Sequence, residues 1–506
     1  MKKFRSVLTQ ILIVLFVFIG FLALFSAIWC SRVYGDLGFD AILFTLSSNL
    51  TGVSTELIKS YLTFAVPPTA ICTAAVCFIL LFHPKKGVQI SVKNVKLSLF
   101  PFKRAVSLIL SIVISLSLVI TGANRVKAFD YITYQLTPSL FIENEYVDAK
   151  EVSIEFPENK RNLIYIFMES MEASFFSKEL GGGLDHNTIP ELYSLAKNNI
   201  NFSESEEVGG SYVVPGATWT MGALLAETAG LPLKVPANTG NDMGYRKNFF
   251  PSITTLTDIL KENGYNQSFM CGSSISFGGR NKYFEQHGNL TIYDYNTAQT
   301  DGIIPEGYWD GFWGMEDHYL YDYAKQELPK IAKDGDPFAF FMLTVDTHHI
   351  SGHPCKYCGN EYDEQYENVY SCASKQIDQF IKWLQEQDFY ENTTIIIVGD
   401  HKSMDFEYSR RNFSDDYMRK IYNCFINSAV TSPYTKNREF TQLDMFPTAL
   451  ASLGCSIEGD RLGLGINLFS GKETLAEKYG IKEMASELKK RSKMYDDELL
   501  RIYDDN

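Results

Sequence analysis

The chain has 506 residues, of which 45% are hydrophobic and 21% charged, and its formal net charge at pH 7 is −14. The length allows more than one domain. The acidic balance excludes a general nucleic-acid binder, which needs a basic surface for the phosphate backbone. It also argues against a globular part that adheres to anionic lipid by bulk charge. A lipid head group would therefore need a specific site.

The N-terminal quarter of the chain contains three apolar runs long enough to cross a bilayer. We predict a transmembrane anchor over 1–122, with helices at about 9–29, 61–83 and 104–122. Two alternatives remain open. The first run is also compatible with a cleaved signal peptide, and the third, which contains serines, with an amphipathic helix at the interface.

The orientation of this anchor follows from its basic residues. The segment between the first and second runs contains only two of them, Arg32 and Lys59. The others precede the first run or lie between the second and third: Lys2, Lys3, Arg5, Lys85, Lys86, Lys93, Lys96, Lys103 and Arg104. By the positive-inside rule, the N-terminus and the second loop are cytoplasmic. Everything after about residue 123 is then predicted to be extracytoplasmic.

The segment after the anchor begins with residues 123–160, whose mixed polar and aromatic side chains predict a linker to a domain at 161–470. That domain opens with the run NLIYIFM, which predicts a buried strand ending at Glu169. A carboxylate at the end of such a strand is a candidate metal ligand. An acid favoured by the dipole of a following helix is the alternative.

A helix is predicted to begin near Thr220, because small apolar residues follow the break at Pro215 and Gly216. The free N–H groups of a helix N-terminus favour phosphate. A hydroxyl beside a metal can act as a nucleophile there. On the local pattern alone, Thr218 or Thr220 is also compatible with a simple helix cap.

Cationic and imidazole side chains follow two further predicted strands. The Gly-rich loop SSISFGGRNK contains Arg280, which is suited to hold a phosphate oxygen, although a solvated loop charge is the alternative. The strand predicted within 336–345 is followed by Asp346, His348 and His349. His348 is suited to bind phosphate or to protonate a leaving alkoxide. Either histidine is also compatible with an ordinary polar loop.

The run at 394–398 consists entirely of β-branched residues and predicts a strand buried on both faces. Gly399 ends it, and Asp400 and His401 follow at the sheet edge where ligands of open α/β sheets bind. This pair suits a divalent metal, or is a loop acid with a solvated histidine. The alternation of strands and helices predicts an α/β fold with a mainly parallel sheet. The charged tail at 471–506 predicts a surface helix.

The six cysteines after the anchor are Cys271, Cys355, Cys358, Cys372, Cys424 and Cys455. An even number in an extracytoplasmic domain permits disulfides. We favour a bond from Cys372 to Cys355 or Cys358. Free thiols are an alternative, and so is a small zinc knot that includes His353, because the spacing H-x-C-x2-C is typical of zinc ligands.

Combined, these segments resemble the membrane-anchored phosphoglycerol transferases of the alkaline phosphatase/sulfatase superfamily. This group includes lipoteichoic acid synthases and the enzyme that decorates osmoregulated periplasmic glucans. The resemblance covers roughly 160–470 and the anchor. Trp219 and the D-T-H-H sequence beginning at Asp346 are closer to the glucan enzyme. The matching segments are Asn162–Ser170, Pro215–Met221, Leu343–His349, Ile395–Met404 and Gln442–Leu468.

The resemblance implies an alkaline phosphatase/sulfatase-like fold and a metal-dependent transferase on the outer side of the bacterial cell membrane. It implies one divalent cation, Mn²⁺ or Mg²⁺, held by four residues: Glu169, Thr220, Asp400 and His401. Metal-activated Thr220 would attack phosphatidylglycerol, release diacylglycerol and form a glycerophosphoryl-threonine. A hydroxyl of a glycan or polyglycerolphosphate would then accept the phosphoglycerol.

The remaining implied roles concern the substrate. His348 would assist catalysis, and Arg280, Asp346, His348 and His349 would bind substrate. A tryptophan that contacts glycerol phosphate in the teichoic acid branch falls near Gly278 here, so the resemblance implies that this contact is absent. The alternatives are a phosphoethanolamine transferase, a phosphatase or sulfatase of the same fold, and a non-catalytic receptor domain.

Overall fold

The computed structural model describes residues 2–33, 35, 39, 42–43, 55–82, 88–92, 95–99, 103–234, 248–308 and 312–501. The chain divides into two compact units. The first comprises 1–39 and 55–131, and the second comprises 40–54 and 132–506.

The first unit consists of three long helices and a small hairpin. The helices are α1 (Lys2–Val33), α2 (Thr55–Leu81) and α3 (Arg104–Arg125), and the antiparallel hairpin pairs β1 (Val88–Val92) with β2 (Val95–Leu99). All three helices are long and apolar enough to cross a membrane. They confirm the three apolar runs expected from the sequence.

Small and polar residues lie where these helices pack. Ser107, Ser111 and Ser115 of α3 are buried, and the Ser107 hydroxyl donates to the Leu80 carbonyl oxygen at 2.8 Å. A Cβ added to Gly20 of α1 would lie 2.8 Å from Ser115 Cα. Close contact through small residues is typical of membrane helices. The burial of these serines therefore favours a transmembrane α3 over an interfacial one.

The second unit is built on a seven-stranded sheet of order β5-β10-β9-β4-β8-β6-β7. Its strands are β4 (Asn162–Met168), β5 (Gly210–Ser211), β6 (Asn266–Cys271), β7 (Thr291–Tyr293), β8 (Phe338–Leu343), β9 (Thr393–Gly399) and β10 (Ile421–Ile426). β4 pairs in parallel with β8 and β9, and β6 pairs in parallel with β7 and β8. Only β10 runs antiparallel, against β9 and β5. The predicted α/β fold with a mainly parallel sheet is confirmed.

Helices cover both faces of this sheet, which is why β4, β8 and β9 are buried along their whole length. One face packs Ile164 and Ile397 against Leu320 and Phe380 in a large apolar core. The α-helices between residues 190 and 452 are α6 (Pro190–Asn198), α7 (Thr220–Ala229), α8 (Leu256–Glu262), α9 (Arg280–Gln286), α10 (Tyr295–Thr300), α11 (Asp317–Ala332), α12 (Gln365–Gln385), α13 (Phe406–Asn412) and α14 (Met445–Ser452).

The segment at 123–160, for which we predict a linker, contains regular structure. It holds α4 (Ala128–Leu136), α5 (Phe141–Glu145) and β3 (Ile154–Glu155). β3 pairs with β11 (Ser456–Ile457), close to the β12–β13 hairpin (Arg461–Leu462 and Gly465–Ile466). These elements are too short to give a periodic pattern, and their pairing partners lie about 300 residues further along the chain.

The tail, for which we predict one surface helix, folds as α15 (Leu475–Tyr479), α16 (Ile481–Lys489) and a π-helical turn (Tyr495–Leu499). Tyr495 is fully buried and donates to the Pro232 carbonyl oxygen at 2.6 Å. The six cysteines of the second unit are free, so the disulfide that we predict from Cys372 is not formed.

Candidate active site

The three candidate metal ligands meet because two neighbouring strands end together. Met168 of β4 pairs with Gly399 of β9, so Glu169 and Asp400 leave the sheet side by side. His401 follows directly. One donor atom from each of these three side chains lies within 4.8 Å of the others, and all three side chains are buried.

Local hydrogen bonds fix the direction of the Asp400 carboxylate. Its Oδ1 accepts from the backbone N–H groups of Ser170 and His401, both at 2.7 Å. Ser170 adopts a positive φ of 53° to turn its N–H this way. Asp400 Oδ2 has no hydrogen-bond partner among the described residues, and lies 3.4 Å from His401 Nε2. A buried oxygen without a partner is costly unless a cation completes the site.

The Nε2 atom of the His401 ring faces the carboxylates of Glu169 and Asp400. Nδ1 lies 2.9 Å from the Lys402 carbonyl oxygen, which can only accept, so Nδ1 carries a proton. The neutral ring therefore has its lone pair on Nε2, which lies 3.4 Å from Glu169 Oε1. A backbone carbonyl that fixes the tautomer in this way is typical of metal-binding histidines.

Thr220 is the first residue of α7, and its hydroxyl points into this cluster. Oγ1 donates to Glu169 Oε2 at 3.2 Å and lies 3.4 Å from His401 Nε2. Trp219 precedes the helix and makes no side-chain cap. The N-cap residue of this helix is therefore Trp219, and the alternative in which Thr220 is a simple helix cap is wrong. The hydroxyl stands at a helix N-terminus, where a phosphate is favoured.

These four side chains fit a single divalent cation. Two carboxylates, an imidazole nitrogen and a hydroxyl form a donor set for a hard or borderline metal, and the orphaned Asp400 oxygen adds a structural reason for one. Burial raises the pKa of Asp400 to about 7. Burial acts in the same direction on Glu169, but the charges of His401 and His348 and two hydroxyl donors outweigh it and lower its pKa. The buried carboxylates of Glu169 and Asp400 thus favour a cation beside them.

A pocket opens beside Thr220, and Arg280 lies in its wall. The guanidinium is buried, and donates from Nη2 to Ser273 Oγ at 2.9 Å and to the Ser274 carbonyl oxygen at 2.7 Å. It makes no ion pair with a carboxylate in the described part of the chain, so its charge is available to an anion. The lining residues are Glu169, Thr220, Ser273, Ser274, Phe277, Arg280, Trp313, Leu343, Thr344, Val345 and His348.

His348 forms another part of the pocket wall. Its Nδ1 lies 2.8 Å from the His349 carbonyl oxygen and therefore carries a proton. Its ring lies against Trp313, with centroids 4.3 Å apart. Burial lowers the pKa of His348, so the neutral ring with an Nε2 lone pair is favoured near neutral pH. Such a ring can accept a proton from a hydroxyl.

Two other predicted substrate-binding residues are not brought into this wall. Asp346 Oδ1 accepts from the N–H of Asp317, the first residue of α11. The Asp317 carboxylate in turn accepts from the N–H groups of Val345 and Asp346 at 2.7 and 3.2 Å. Asp346 thus joins the end of β8 to α11, and the buried His349 stacks behind His348 with ring centroids 4.4 Å apart.

The pocket also contains residues that sequence reasoning missed. Trp313 lines it, and its buried Nε1 has no hydrogen-bond partner among the described residues. Ser273 and Ser274 contribute hydroxyl and carbonyl groups next to Arg280. In the sequence, the only local feature that points to a role for Trp313 is the cluster of aromatic residues around it. The resemblance implies that the tryptophan contact near Gly278 is absent. A different tryptophan, Trp313, nevertheless lines this pocket.

The sulfatase family profile matches residues 161–455, which is more than half of the chain. The chain therefore belongs to the sulfatase family, within the alkaline phosphatase superfamily. This assignment confirms the superfamily that the strand-end motifs predict.

Particular relatives include phosphoglycerol transferase I of Shigella flexneri, which is 29% identical over 345 residues, or 66% of this chain and 42% of the relative. The protein of the same name from Escherichia coli O6:K15:H31 (strain 536 / UPEC) is 30% identical over 261 residues, or 50% of this chain and 32% of the relative. The matches thus span less than half the length of these relatives.

Solved structures that are similar to this chain include a lipoteichoic acid synthase and a phosphoethanolamine transferase. The lipoteichoic acid synthase LtaP from Listeria monocytogenes is 19% identical, with a TM-score of 0.49 over 63% of this chain and 79% of that chain. The lipooligosaccharide phosphoethanolamine transferase A from Neisseria meningitidis is 14% identical, with a TM-score of 0.50 over 88% and 84%. At this identity, the second likeness shows the fold alone.

Proposed function

We propose that this protein transfers phosphoglycerol from phosphatidylglycerol to a hydroxyl of an extracytoplasmic glycan or polyglycerolphosphate. The observation that carries the proposal is the position of Thr220 Oγ1, within 3.4 Å of both Glu169 and His401 and at the pocket with Arg280. The named function of the Shigella flexneri and Escherichia coli relatives supports the choice of phosphoglycerol.

The reaction divides into two displacements at phosphorus. In the first, Thr220 Oγ1 forms a bond to phosphorus, and the bond from phosphorus to the diacylglycerol oxygen breaks. The proton that the Thr220 hydroxyl loses is matched by the proton that diacylglycerol gains. In the second, the acceptor oxygen forms a bond to phosphorus, the bond from phosphorus to Thr220 Oγ1 breaks, and Thr220 recovers its proton from the acceptor hydroxyl.

The chain's own residues account for most of the requirements of this chemistry. Arg280 and the N-terminus of α7 bind phosphate oxygens. His348 has an acceptor nitrogen suited to carry the transferred proton. A divalent cation at Glu169, Asp400, His401 and Thr220 would lower the pKa of the hydroxyl and stabilise the developing negative charge.

Hydrolysis is the competing outcome for this fold. Sulfatases use a modified cysteine or serine as nucleophile, whereas this chain has a threonine at 220. A threonine ester can be displaced by a second hydroxyl, which favours transfer. The tethered arrangement also suits a lipid donor, because three membrane-spanning helices precede the catalytic unit.

The test is mass spectrometry of the full-length protein in detergent after incubation with phosphatidylglycerol and Mn²⁺. We expect one added glycerophosphoryl group, and peptide mapping should locate it on Thr220. Phosphatidylethanolamine serves as the matched lipid control and should give no adduct. Donor turnover without any adduct, or an adduct on another residue, would contradict the mechanism.

Substitution of Arg280 by lysine tests phosphate binding. Lysine keeps the charge but loses the fork that spans Ser273, Ser274 and the ligand. We expect KM for phosphatidylglycerol to rise about tenfold, since a charge-assisted hydrogen bond contributes about 1.5–3 kcal/mol. Steady-state release of diacylglycerol measures this. The exposed Arg410 changed to lysine is the control, and equal KM values in both variants would remove Arg280 from the site.

A further inference from the structure

A second cluster of metal-binding side chains lies outside the pocket, in the loop between β8 and α12. Cys355 and Cys358 belong to this loop, and Cys372 lies in the second turn of α12. The Cys355 sulfur is 3.7 Å from that of Cys372 and 3.8 Å from that of Cys358. All three sulfurs lie within 4.8 Å of one another, so they surround a common point.

These separations match the edge of a metal tetrahedron. Zinc binds thiolate sulfur at about 2.3 Å, so two sulfurs on one tetrahedral zinc are about 3.8 Å apart. Cys355 and Cys358 also have the C-x2-C spacing common in structural zinc sites. One disulfide could use only two of the three sulfurs, whereas a single ion uses all of them.

A histidine that the sequence spacing did not indicate lies close to these cysteines and is the candidate for a fourth ligand. His318 in the first turn of α11 is only 5% exposed, yet neither ring nitrogen has a hydrogen-bond partner among the described residues. Polar contacts with Cys358, Cys372 and the His318 side chain lower the pKa of the Cys355 thiol, so the His318 ring lies beside that sulfur. A buried imidazole whose polar neighbour is a thiol is poorly satisfied, and a metal ion would satisfy it.

His353, the histidine suggested by the spacing, has a different environment. Its ring stacks on Phe312 with centroids 4.6 Å apart. His353 is only partly buried, whereas His318 is buried and lies beside the Cys355 thiol. The fourth position is therefore better filled from α11 than from the loop itself.

The surroundings also suit thiolates. The side-chain N–H of Gln376, one turn after Cys372 on α12, donates to the Cys372 sulfur at 3.3 Å and lies 3.8 Å from the Cys355 sulfur. The N–H of Cys358 donates to the Cys355 carbonyl oxygen at 3.0 Å and closes a tight turn. Hydrogen bonds to ligand atoms stabilise and orient them in metal sites.

We propose that Cys355, Cys358, Cys372 and His318 bind one structural Zn²⁺ ion. Four protein ligands leave no open position, so this ion is not catalytic. It ties the loop after β8 to both α11 and α12. That loop contains His348, and His318 follows Asp317, which accepts from the backbone N–H of Val345. The zinc thus fixes the part of the pocket wall that contains His348.

Cobalt substitution of the full-length protein tests the proposal. Thiolate ligands give Co²⁺ an intense charge-transfer band in the near ultraviolet, and the oxygen–nitrogen site at Glu169, Asp400 and His401 cannot produce it. We expect this band in the wild-type protein, and one tightly held zinc per chain by elemental analysis after dialysis. The wild-type measurement alone is informative even if a variant fails to fold.

Variants then identify the ligands. Cys358→Ala should weaken the band, and in both Cys358→Ala and His318→Gln zinc retention against a chelator should fall at least about tenfold. Cys455→Ala, a buried thiol outside the cluster, should keep both. The proposal is overturned if the wild type shows no thiolate band, if non-reducing peptide mapping finds a disulfide among the three cysteines, or if His318→Gln retains zinc like the wild type.

Discussion

Replacement of Thr220 by alanine is expected to lower the rate of phosphoglycerol transfer by about 10³-fold or more, because loss of a catalytic nucleophile has effects of this order. The hydroxyl is the only group of Thr220 that contacts Glu169 and His401, at 3.2 and 3.4 Å. The effect should appear in kcat. Release of diacylglycerol from phosphatidylglycerol vesicles measures it, together with loss of the glycerophosphoryl adduct.

Two further variants serve as controls for Thr220→Ala. Thr220→Ser keeps the hydroxyl and should retain measurable turnover and the adduct. Thr218→Ala removes a threonine two residues away that does not line the pocket, and should leave the rate within about twofold, as surface changes away from a site usually do. Normal transfer by Thr220→Ala would exclude the covalent mechanism.

Gly399→Ala is expected to produce the second large effect. A Cβ at this position would lie 1.7 Å from the Met171 carbonyl oxygen, a backbone atom that already accepts from the Tyr422 N–H. The strand ends must separate to admit it, and Glu169 and Asp400 separate with them. We expect a loss of about 1–3 kcal/mol in stability, or more, from overpacking, and loss of metal binding and transfer.

Thermal unfolding and metal content of the purified protein measure both consequences. Gly359→Ala is the control, because a Cβ there would meet only the Glu361 side chain at 3.4 Å or more, an ordinary contact distance. It should leave stability within about 0.5 kcal/mol. An unchanged melting temperature and metal content in Gly399→Ala would show that the two strand ends are not tightly coupled.

The sequence was sufficient for the sheet and for the residues that meet at its edge, and the reason is physical. Runs such as 394–398 are β-branched and almost entirely apolar because both faces of a central parallel strand are covered. Such strands are recognisable without any alignment, and their C-terminal ends meet at one edge. Glu169 and Asp400 therefore meet across more than 200 residues of chain, as predicted.

The parts that sequence reasoning missed depend on loop conformation and on contacts distant in sequence. Trp313 reaches the pocket through an irregular segment before α11. Asp346 follows a strand as expected, but its carboxyl group accepts from the Asp317 N–H and does not line the pocket. His318 lies on a helix with no local signal for a ligand. The direction of a side chain from a loop is fixed by its neighbours in space, which no spacing rule contains.

The site is built from two kinds of element, and this division has an evolutionary consequence. Glu169, Asp400 and His401 follow strand ends held by the sheet, whereas Trp313 and His348 come from connecting segments and Arg280 begins α9 directly after one. Insertions and substitutions in such segments cost little stability. A new acceptor can therefore be accommodated by redesign of the connections while the reacting threonine stays in place. Directed evolution for altered acceptor choice should accordingly target residues around 273–280 and 312–316 and leave the strand ends unchanged.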